Sequence, residues 1–155
     1  MKSETVRNRI PYIGAGLVIL TTLILAFIII PGFFANKTPG FQLEASVKII
    51  LVTIILHLVI CYPFREMIIA NKRGGRLEKI VFIIPGIGLL ILGLFLSDGA
   101  FAGLKWFMSS GDGMSDYSYM RFVDISWFIC VANDIIAGIL VFIALFLQPK
   151  KVVAK

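Results

Sequence analysis

Four long apolar stretches, divided by short polar or charged segments, set the pattern of this chain. They run over 10–34, about 47–70, 80–96 and about 123–147. A helix needs about 20 mostly apolar residues to cross a bilayer, and each stretch meets or approaches that length. The expected fold is therefore an all-α membrane protein: a four-transmembrane-helix bundle forming one membrane domain over 1–155. The third stretch is the shortest. The second is interrupted by Pro63, Arg65 and Glu66. Pro63 predicts a kink, and the long stem of Arg65 lets its charge reach the interface. The first follows a basic start, as a signal peptide does. It carries no charge from Ile10 to Ala35, exceeds the roughly 7–15 apolar residues of a signal core, and lacks a clear small-x-small cleavage site. It reads as a membrane anchor.

Composition supports the same class. Apolar residues make up 59% of the chain and charged residues 15%, well below the roughly 25% charged of soluble domains. A soluble fold of this size has no room to hide so much apolar surface, whereas lipid solvates it. The net charge of +6 does not indicate nucleic acid, because the basic residues sit at the ends of the apolar runs, where they orient helices. Three lie in the N-terminal tail, five at the end of the second stretch and in the segment after it (Arg65, Lys72, Arg73, Arg76, Lys79), and three in the C-terminal tail. That places eleven on one side against four (Lys37, Lys48, Lys105, Arg121) on the other. Positive-inside bias then predicts both termini in the cytoplasm of a cell with this inner membrane. Trp106, Trp127, Tyr117 and Tyr119 gather at the predicted outer boundary, where amphipathic rings favour the headgroup level.

The connections differ in kind. Lys72, Arg73, Arg76 and Lys79 form a basic hairpin suited to setting topology and touching anionic lipid. Residues 36–40 read as a turn, and Asn36-Lys37-Thr38 matches a glycosylation acceptor by chance. Residues 97–121 read as an outer loop, interfacial in its first half and polar in its second. It is a candidate surface for a protein partner. Asp112 and Asp116 in it lack the ordered ligand pattern of a calcium loop.

The candidate chemistry lies inside the spans. His57 and Asp134 are ionisable residues in hydrocarbon, costly unless they face protein or water. The second helix, from Lys48 to Lys72, has its midpoint at position 60, and the fourth, from Asp124 to Lys150, at 137. Each residue is displaced outward from its midpoint by about 4–5 Å of helical rise. The two helices run parallel, so the groups share a level. Residues four apart share a helix face. Thr53, His57 and Cys61 therefore form one stripe, and Ser126, Cys130, Asp134 and Gly138 another, with Asn133 beside it. Facing stripes predict a buried polar seam. Three uses follow: a hydrogen-bonded lock between helices, a proton or ion path, or a metal site with one cysteine. Cys61 and Cys130 differ by about 10 Å in depth, so both do not reach one ion. No cofactor is expected. Glycines at 14, 16, 86, 88 and 93 suit close helix packing.

Phe122-Val123-Asp124-Ile125 and Val131-Ala132-Asn133-Asp134 together resemble the last third of the lipoprotein signal peptidases, four-span aspartyl proteases with cytoplasmic ends. The resemblance covers about thirty residues. It implies a catalytic carboxylate pair of Asp124 and Asp134. The family's Asn-x-x-Asp-Arg signature and its earlier asparagine motif are absent, and the order Asn133-Asp134 departs from its pattern. On one helix the two carboxylates would lie about 15 Å apart in depth, whereas such a pair shares a proton at about 3 Å.

The functional expectation is a small inner-membrane protein acting by binding or assembly, as an accessory, regulatory or immunity-type protein. Its partners are membrane lipids and either another protein or further copies of itself. The alternatives are a small oligomeric transporter or channel using Asp134 and His57, and an intramembrane hydrolase.

Overall fold

The computed structural model describes residues 2–35, 40–75, 77–109 and 117–148. Among these, all regular structure is helical: α1 Lys2–Ile24, a π-helical turn Leu25–Ile29, α2 Ile30–Ala35, α3 Gly40–Lys72, α4 Ile80–Ser109 and α5 Tyr117–Phe146. Four helical stretches are long and apolar enough to cross a membrane: Thr5–Gly32, Ser46–Lys72, Ile80–Asp98 and Ile125–Phe146.

The helices exceed their predicted bounds. α3 begins at Gly40 and runs through Pro63 and Arg65 to Lys72. The segment expected to be a loop over 97–121 is largely helix, since α4 continues to Ser109 and α5 starts at Tyr117. Ser97 explains part of this. Its hydroxyl bonds back to the Leu94 carbonyl within the helix, so it does not divert the backbone. Residues 110–116, with Asp112 and Asp116, lie outside the described residues, as do Asn36-Lys37-Thr38 and Arg76.

Proline in α1 has a visible consequence. Pro11 has no N–H, so the Arg7 carbonyl loses its ladder donor. The Asn71 side chain, at the far end of α3, donates to that carbonyl at 3.2 Å. α3 then ends in a turn. Gly74 adopts φ +64°, a left-handed conformation open to glycine at little cost. Gly75 N–H bonds the Ala70 carbonyl at 2.9 Å, closing the helix end. Lys72, Arg73 and Lys79 are exposed around this turn.

α5 packs against α4 and α1, and α1 also packs against α3, while α3 meets α4 only sparsely. Glycines permit the closest approaches. A Cβ at Gly138 would stand 3.1 Å from the Gly86 carbonyl oxygen of α4, and one at Gly14 would overlap the Phe64 ring of α3. Two apolar clusters fill the interior. One, with Ile10, Phe64, Met67, Phe82 and Val141, lies at the end bearing the α3–α4 turn. The other, with Leu25, Ile29, Ile50, Leu96 and Val123, lies at the opposite end.

Candidate functional site

Between the two apolar clusters lies a layer of buried polar side chains: Thr21 from α1, Thr53 and His57 from α3, and Asn133 and Asp134 from α5. Thr53 and His57 are one helical turn apart. The Thr53 hydroxyl donates to the Ile49 carbonyl at 2.9 Å. The Thr53 carbonyl lies 2.7 Å from His57 Nδ1. A carbonyl only accepts, so Nδ1 carries hydrogen and donates.

His57 Nε2 then faces Asp134, 3.1 Å from Oδ1 and 3.0 Å from Oδ2. Both side chains are 0% exposed. A bare nitrogen lone pair would repel carboxylate oxygens, so one proton lies between Nε2 and the carboxyl group. The pair is either imidazolium with carboxylate or imidazole with carboxylic acid. Its net charge is zero in both forms, which is the state that burial tolerates.

The pair spans the centre of the bundle. Among the described residues α3 and α5 share no extended backbone contact, since α1 packs on both and α4 packs mainly on α5. α4 reaches the layer through Gly93, where an added Cβ would stand 3.4 Å from Asp134 Cβ and 3.1 Å from Ile135 Cγ1. Glycine thus lets α4 close over the carboxyl group.

The other expected seam residues disperse. Cys130 is fully buried, and its thiol lies 4.0 Å from the Thr21 carbonyl on α1, a weak contact. Cys61 packs half-buried with the cluster at the turn end. Ser126 turns its hydroxyl to the Phe122 carbonyl at 2.7 Å. Among the described residues, Asn133 is buried with no partner for Nδ2, and Thr21 is buried with no partner for its hydroxyl. Sequence reasoning missed Thr21. Its signal was the Thr21-Thr22 pair inside an otherwise apolar run; Thr22 bonds only its own helix, at the Val18 carbonyl.

Among the described residues no three His, Cys, Asp or Glu side chains gather closely enough to hold a metal ion. Asp124 and Asp134 both belong to the one helix α5, so about 15 Å of helical rise separates them. That backbone separation far exceeds the distance of about 3 Å at which a carboxylate pair shares a proton. Comparison with known protein families, curated proteins and solved structures finds no match to this chain.

Proposed function

We propose that this is a multi-pass inner-membrane protein with both termini cytoplasmic, which works by binding and assembly and not by covalent catalysis. Four apolar helices of spanning length support insertion. Large apolar side chains cover the outside of the bundle, among them Ile55, Val59, Ile84, Leu94 and Phe146, a surface suited to lipid and not to water. The eleven-to-four distribution of Lys and Arg supports the orientation.

The observation that carries the functional reading is the closed state of the His57–Asp134 pair. Both imidazole nitrogens and both carboxyl oxygens have partners, and neither side chain meets the surface. The pair itself offers no open position to a substrate. The pair acts as a latch that holds α3 against α5 and so shapes the outer faces that a partner, or a second copy, would read.

Transport is the second reading, favoured by the single proton held in the pair, since buried ionisable groups serve as proton relays. One experiment separates the two. The full chain is purified from native membranes in mild detergent, and its complex is sized by mass. The binding reading expects a complex of fixed stoichiometry. An isolated monomer, with pH-driven flux in liposomes that Asp134→Asn abolishes, would overturn it in favour of transport.

A further inference from the structure

α3 meets α4 only sparsely, and a crevice lies between them. Along it lies an apolar cavity of about 450 Å³, with Val52 on α3 and Ile91 on α4 among its walls. It is an open groove whose volume falls within the range of ligand clefts. Thr53 and Phe95 also line a second cavity of about 210 Å³, which adjoins the first. This second space is less uniformly apolar: Ser46, Asp98 and Trp127 border it.

The crevice therefore has a long apolar part and a polar mouth, and the mouth carries both signs of charge. The aliphatic stem of Lys48 lines the larger cavity, whose wall is wholly apolar, and its ammonium group is exposed beyond that wall. Among the described residues its ammonium group pairs with Glu44, at an exposed position, which uses one of its three donors. Asp98 lines the smaller cavity, is exposed, and has no ion-pair partner among the described residues. Trp127, half-buried beside it, is a side chain that favours the headgroup level.

We propose that the α3–α4 crevice binds one phospholipid of the outer leaflet whose head is a zwitterion with a primary amine. An acyl chain occupies the apolar cavity, the phosphate meets Lys48, and the ammonium group meets Asp98. This rests on the membrane reading above. The head chemistry follows from the charges. An anionic head without an amine leaves Asp98 facing a negative group. A quaternary amine has no N–H to donate to it. Neither matches the crevice as well as a primary ammonium.

The test is native mass measurement of the detergent-extracted, delipidated full chain, titrated separately with phosphatidylethanolamine, phosphatidylcholine and phosphatidylglycerol. The expected result is one bound phosphatidylethanolamine, held about tenfold more tightly than the others, a difference of about 1.4 kcal/mol. Val52 is 56% exposed at the cavity wall, so Val52→Trp fills the crevice without entering the core, and its binding should fall about tenfold. Ile139→Trp, a similarly outward position on α5, should leave binding unchanged. Asp98→Asn should erase the preference for the primary amine. Equal binding of the three lipids, no retained lipid, or full binding by Val52→Trp would overturn the proposal. Recovery of the chain from cells without detergent would instead overturn the membrane reading itself.

Discussion

Removing one member of the His57–Asp134 pair leaves the other buried without its partner. His57→Leu strands a carboxyl group at 0% exposure, and breaking a buried pair in this way costs about 3–5 kcal/mol. Asp134→Leu strands Nε2, for about 1–3 kcal/mol. The double variant removes both polar groups and is expected to be more stable than His57→Leu alone. Reversible unfolding in bicelles measures the cycle; strictly additive losses would mean the two groups do not act as a unit. At this scale the sequence already showed which residues were costly in hydrocarbon, and helical rise put them at one depth. It did not show that Nδ1 donates to the Thr53 carbonyl. That bond depends on the rotamer of one ring, and no spacing rule specifies a rotamer. Thr21 was invisible for a related reason: a lone threonine commonly bonds its own helix, as Thr22 does, and only packing shows that Thr21 does not.

Helix contacts divide the glycines into two kinds. At Gly138 a side chain would press on the Gly86 carbonyl and on Leu90, each at 3.1 Å, whereas at Gly16 nothing lies within 4 Å. Gly138→Val should lose about 1–3 kcal/mol by overpacking. Gly16→Ala should be neutral or slightly stabilising, because alanine is the better helix former by about 1 kcal/mol. Thermal melts in detergent compare them, and an equal loss at both positions would contradict the packing described. The same scale shows why the predicted bounds fell short. Apolar pattern marks the part of a helix that matches hydrocarbon thickness. Backbone hydrogen bonding has no such limit, and it carries α4 past Leu96 to Ser109. Pro63 costs a ladder bond, yet α3 passes through it. A neighbour can compensate such a loss, as Asn71 does for the carbonyl left by Pro11.

For the whole molecule, orientation is the property most open to direct test. Reporters active only outside the cytoplasm, fused at either terminus or at position 75, should be silent, and fusions at 38 or 112 should be active; the reverse pattern would invert the proposed topology. Mutating Lys72, Arg73 and Lys79 together to Gln should blur the pattern, because these charges supply part of the bias. Four apolar helices, their order and the presence of two ionisable residues at one level were readable from the chain alone. Hydropathy, charge bias and helical rise are local or additive, and a sequence displays them directly. Which helices touch was decided only in three dimensions. Packing depends on matching surfaces across the fold: Gly138 against Gly86, Gly14 against Phe64, and Gly93 over Asp134. Those contacts place α1 and α4 around α5, leave α3 loosely set against α4, and make the His57–Asp134 bond a link across the middle instead of a bond between neighbours.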